Sequence, residues 1–193
     1  VLALFDKPDP LDGPFFEESI YVTPSRQSPA VQVSIAEAAQ KAVTALGLRD
    51  GPVHAEMRCN AEGVLMLEVA PRCIGGLCAR ALVFQPQIPL EELILRHASG
   101  VDVSGAELRD GASGVMMIPI PRAGVYQSVQ GSQQASEVPG IIEVVITAKP
   151  GQHLRPLPEG NSYLGFLFAA APTPHEVEEA LRRAHGKLGF EIL

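Results

Sequence analysis

The chain has 193 residues, 46% of them hydrophobic and 19% charged, with a net charge of −7 at pH 7. Such an acidic chain lacks the basic face that a phosphate backbone needs, which argues against nucleic acid as a partner. No apolar run reaches the roughly 18 residues of a membrane span, and three cysteines fit neither a secreted disulfide scaffold nor a common zinc spacing, so a cytoplasmic protein with reduced thiols is expected.

The chain opens at Val1 in an apolar run, VLALF, which predicts a strand over 1–5 and, with no signal peptide visible, a piece of a longer polypeptide. A Pro/Asp/Gly loop follows from Asp6 to Gly13, then a strand at Ile20–Thr23. Ser34 and Glu37 have capping-box spacing at the head of an Ala-rich helix that runs to Leu46, with Gly47 as its stop. Two apolar runs, VHAEMR (53–58) and VLMLEVA (64–70), flank a Gly-containing connector and predict a β-hairpin. A Gly-Gly turn follows. Leu77–Phe84 reads as helical, and Pro89–Ala98 is a better helix closed by Gly100. The polar stretch Gly105–Gly114 marks a boundary, giving two units, 1–112 and 113–193.

In the second unit strands are expected at Val115–Ile120 and Ile141–Thr147, with Pro119 confining the end of the first to an edge or bulge. Lys149–Gly160 reads as a long loop. Ser162–Ala170 is apolar enough for a strand buried on both faces. Thr173-Pro-His-Glu176 is a capping box with proline at the first helical position, opening a helix to about His185, and Phe190–Leu193 returns as a short strand. The fold class is α+β, a sheet with helix packed on one side.

The chemistry concentrates in the hairpin. A turn centred near Glu62 places Glu56 opposite Glu68 on one face, where Cβ atoms lie roughly 5 Å apart and like charges repel. Such a pair is comfortable when a cation or proton separates the charges. Hard carboxylate oxygens suit Mg²⁺, which commonly also holds nucleotide phosphates. Arg72, four residues beyond Glu68, is a bidentate reader of phosphate or carboxylate, and the Gly75–Gly76 backbone can approach an anion closely. His54 and Arg58 share the face of Glu56 by strand alternation; for His54 a hydrogen-bonded structural role is favoured over a role lining the site.

The run GPVHAEMRCNAEGVLMLEVAPRCIGG (51–76) resembles the closing half of an ATP-grasp domain. Residues 5–25 and 163–185 are similar to the L-amino-acid ligase branch of that family. The resemblance implies an antiparallel sheet with helices, followed by a small α+β C-terminal domain. It implies Glu56 and Glu68 as ligands of Mg²⁺, or Mn²⁺, carrying ATP. It further implies Arg72, Gly75 and Gly76 as catalytic groups, with Arg72 also binding substrate, and Glu18 and Tyr21 as binders of a substrate ammonium. Ala70 stands where the family has an asparagine ligand. The expected activity joins a small carboxylic acid to an amine through an acyl phosphate, with this piece alone inactive. Alternatives are a glycinamide-ribonucleotide-synthetase-like or carboxylase-type enzyme, a nucleotide-binding module without catalysis, or a plain oligomerisation domain whose C-terminal unit buries a partner surface, as in a homodimer.

Overall fold

The computed structural model describes residues 1–9, 19–160 and 162–193. Chain packing divides it into two units: Val1–Leu4 with Ser25–Arg109, and Phe5–Pro24 with Asp110–Leu193. Every strand pairing among the described residues is antiparallel, and the class is α+β.

Residues 1–5 form no strand. Among the described residues, a bridge lies just beyond this stretch, Asp6 to Val22. In the first unit, helix α1 spans Pro29–Ala45. It starts a turn and a half before the expected capping box. Ser28 accepts the Val31 N–H and Pro29 occupies the first turn, so Ser34 falls inside the helix and donates to the Ala30 carbonyl instead. The C-terminus closes as foreseen, with Gly47 N–H donating to Thr44 and Leu48 N–H to Val43.

Among the described residues, strand β2 of this unit (His54–Asn60) pairs with β3 (Gly63–Ala70) alone, and α1 packs against β3. None of these three elements has a fully buried residue. The helix expected at Leu77–Phe84 reduces to a 3-10 turn at Cys78–Ala81. Pro86 discourages helix before it, and Val83–Phe84 pairs as a short strand with Ile88–Pro89. Helix α2 (Leu90–Ala98) buries Leu90 and Leu93 and packs against that turn.

The second unit holds the main core. Strand β1 (Ile20–Thr23) pairs with the strand at Ala112–Ile118, which pairs with Gly165–Ala171, which pairs with Ile141–Ile146. This pairing draws Phe5–Pro24 into the second unit, away from its neighbours in sequence. Gly165–Ala171 is buried on both faces along most of its length, as its composition predicts. Helix α4 (Pro174–His185) carries the expected Thr173–Glu176 capping box and buries Val177, Ala180, Leu181 and Ala184 as one stripe. It lies on the sheet over Ile20, Val22, Met116 and Leu167.

A second, three-stranded sheet pairs Gly189–Ile192 with Gly124–Gln130 and His153–Leu154. Its central strand escapes the sequence reading because Gln127, Ser128 and Gln130 blur the alternation, and so does a short helix, α3, at Ser132–Ser136. The loop expected at Lys149–Gly160 therefore contributes one short strand.

Candidate functional site

The hairpin turns through only two residues, Ala61 and Glu62, with Asn60 Oδ1 accepting the Glu62 N–H at 2.8 Å. Pairing then runs Asn60↔Gly63, Cys59↔Val64, Arg58↔Leu65 and Met57↔Met66. If continued, that register would set Glu68 opposite Ala55. The register shifts between Glu56 and Met57, and Leu67 is the extra residue on β3. Beyond the bulge the pairs are Glu56↔Glu68, Ala55↔Val69 and His54↔Ala70. The two glutamates are therefore direct cross-strand neighbours on one face, with Cβ atoms about 5 Å apart. A bulge that re-aims a side chain is a common device beside active sites.

The two carboxylates sit in unlike surroundings. Glu56 is 20% exposed, and His54 at 17% lies beside it, with Nε2 2.9 Å from Glu56 Oε1. Glu68 is 53% exposed, with Arg72 Nη2 at 3.6 Å from its Oε1, a charge contact rather than a hydrogen bond. The Arg72 N–H donates to the Ala70 carbonyl at 2.8 Å, so the chain turns tightly about Pro71 as β3 ends. This turn brings the guanidinium back towards the strand. Its Nη1 donates to the Cys73 carbonyl at 2.9 Å and lies 3.7 Å from where a Cβ on Gly75 would be. Arg72 thus lies beside both Glu68 and Gly75. Gly76 has φ of +59°, a conformation glycine supplies without strain, and the chain then enters the 3-10 turn.

One sheltered and one open carboxylate, with a guanidinium alongside, suit a hard cation that also binds phosphate oxygens. Among the described residues no group of three or more His, Cys, Asp or Glu is placed to hold a metal by itself. Mg²⁺ bound through nucleotide phosphates usually takes one or two protein carboxylates, so the residues present fit that group.

Glu56, Glu68, Arg72 and Gly75 thus come together in the first unit, with Gly76 next in the chain. Tyr21 stands in the second unit, buried, with the Phe5 ring centroid at 5.8 Å and Lys7 Nζ 5.3 Å from its own. Glu18 lies outside the described residues. Sequence reasoning missed one polar cluster. Asp9 accepts hydrogen bonds from Ser19 and from Arg182 of α4, the latter at 2.5 Å, and Arg182 also pairs with Glu178 at 2.8 Å. Burial pushes the Asp9 carboxyl up, but Ser19 and Arg182 outweigh it and leave the group below the usual aspartate range. No local pattern joins residues 9 and 182, so the sequence carries no signal for it.

Residues 1–81 match the ATP-grasp domain family model, and residues 116–192 match that of L-amino acid ligase C-terminal domain 2. The solved L-amino acid ligase from Bacillus licheniformis superposes on all of this chain and 48% of its own, at a TM-score of 0.82 and 24% identity. Phosphoribosylglycinamide synthetase from Anaerococcus prevotii superposes on 91% of this chain and 46% of its own, at a TM-score of 0.73 and 14% identity. These likenesses establish the fold. An uncharacterized protein, y4rH, from Sinorhizobium fredii is 23% identical over 79% of this chain and 32% of its own. The chain therefore spans about a third to a half of the length of these relatives.

Proposed function

We propose that this chain, with residues 1–81 matching the ATP-grasp domain model and residues 116–192 that of L-amino acid ligase C-terminal domain 2, supplies the closing half of an ATP-dependent carboxylate–amine ligase. The observation that carries this reading is the bulge-set pair Glu56 and Glu68 with Arg72 at 3.6 Å from Glu68. The two family matches support a division of labour between residues 1–112, which hold the nucleotide, and 113–193, the C-terminal domain.

The reaction joins an acid to an amine. A substrate carboxylate oxygen attacks the γ-phosphorus of ATP and ADP leaves. The amine then attacks the acyl phosphate, a C–N bond forms, and phosphate and a proton depart. Glu56 and Glu68 would hold a divalent ion, Mg²⁺ or Mn²⁺, which would neutralise charge on the phosphates. The chain's own residues orient and stabilise. Glu56, braced by His54, gives a fixed oxygen, and the more exposed Glu68 gives an adjustable one. Arg72 offers a planar fork of donors to an anionic substrate oxygen. The Gly75–Gly76 backbone, with no side chain in the way, lies beside Arg72 to meet the oxyanion of the tetrahedral intermediate. Glu18 and Tyr21 enter as ammonium binders only through the resemblance of residues 5–25 to amino-acid ligases.

The test is ADP release from the complete ligase, with amino acids offered singly and in pairs. Release that needs both an acid and an amine supports the reading. Release with phosphoribosylamine and glycine alone favours the glycinamide-ribonucleotide alternative, to which the likeness in fold also extends. No ADP release with any acid and amine refutes the ligase assignment.

A further inference from the structure

We propose that His54 is a positioning residue, which holds Glu56 in the orientation that receives a divalent cation; the inference rests on the nucleotide-site reading above. His54 stands two residues before Glu56 on β2, so strand alternation sets both side chains on the face that carries Glu68. The contact is short, 2.9 Å from Nε2 to Oε1, and both partners are largely sheltered from water. A hydrogen bond to a carboxylate under such shelter is stronger than one at the surface. Across the hairpin from His54 is Ala70. Its methyl group offers the imidazole no polar partner and little bulk to displace it. The ring has only two side-chain torsions to fix, so it orients the carboxylate at a smaller entropic cost than a lysine or arginine would.

The other carboxylate is held differently. Glu68 meets Arg72 at 3.6 Å with both groups about half exposed, a contact of the kind that contributes little rigidity. The pair thus has one sheltered member, which His54 contacts, and one adaptable member. Partners that hydrogen-bond a metal-binding carboxylate typically change metal affinity about 10–100-fold when removed.

The geometry requires hydrogen on Nε2, so a side chain with an N–H in the same place should substitute and one of equal bulk without it should not. His54→Phe keeps a ring and removes the donor. His54→Gln keeps a donor near the position of Nε2. The readout is Mn²⁺ binding to the complete ligase chain with ADP present, followed by the loss of the free-ion electron paramagnetic resonance signal, alongside the thermal unfolding midpoint without metal. The expected result is binding about tenfold or more weaker in His54→Phe and within about threefold of the parent in His54→Gln, at similar midpoints. Parent-like binding by His54→Phe overturns the proposal, as does equal weakening in both variants, which would make bulk and not the donor the cause. A parent chain that binds no Mn²⁺ overturns the reading of Glu56 and Glu68 as ligands, and the role of His54 with it.

Discussion

Glu68→Gln separates binding from folding. Two carboxylates about 5 Å apart repel by about 0.8 kcal/mol in a water-like dielectric. The Glu68–Arg72 contact at 3.6 Å returns about 1.2 kcal/mol on the same scale. Both figures shrink with salt, because Glu68 and Arg72 are about half exposed. The substitution deletes both effects at once, so the metal-free chain should change by less than about 0.5 kcal/mol. The ligand-bound state behaves otherwise. With Mn²⁺ and ADP at a hundredfold excess over the dissociation constant, the parent gains about 2.7 kcal/mol, and a tenfold weaker variant gains about 1.4 kcal/mol. Unfolding of the complete chain with and without ligand measures all four quantities. An undiminished ligand shift in the variant would refute Glu68 as a ligand. A metal-free gain above about 1 kcal/mol would refute the balance between Arg72 and the paired carboxylates.

Arg72→Ala should lower ligase turnover about 10²–10³-fold, the usual cost of one oxyanion donor, and full turnover in a steady-state assay would remove its role. Gly131→Ala should destabilise the second unit by about 2 kcal/mol or more. The residue has φ of +81°, and a Cβ there would meet the Lys187 carbonyl oxygen at 1.9 Å; an unchanged urea midpoint would contradict this. The depressed Asp9 pKa adds stability that is present above the unfolded value of about 3.9 and is lost as pH falls through the lower folded value. Asp9→Asn should therefore cost up to about 1 kcal/mol at pH 7 and nothing in strong acid, and a gap in urea midpoint that stays constant with pH would argue against the Arg182 pair.

The elements with strong local signals were legible. Thr173, Pro174 and Glu176 announce α4 because cap, first-turn proline and reciprocal carboxylate all lie within four residues. Ser34 and Glu37 carry the same pattern, yet Ser28 and Pro29 had already started that helix, and a pattern inside a helix is spent on the preceding turn. The glutamate pairing was legible from spacing alone, although the loop is shorter than a turn centred at Glu62 implies and Leu67 makes up the difference. Neither the grouping of Ile20–Thr23 with the later strands nor the Asp9–Arg182 pair is local, and no periodicity encodes them. The brace from His54 to Glu56 lay between these cases, since alternation gives the shared face and only the fold gives the contact.

Leu67 imposes a parity rule on this ribbon. An even turn with unbroken pairing leaves an even number of residues between opposed positions, and Glu56 and Glu68 have an odd number between them. Evolution or design can lengthen or trim the ribbon two residues at a time and keep the acidic side chains together. An unbroken ladder that kept Leu67 would set Glu68 opposite Ala55 and send one of them to the far side of the sheet, with the composition of the hairpin unchanged.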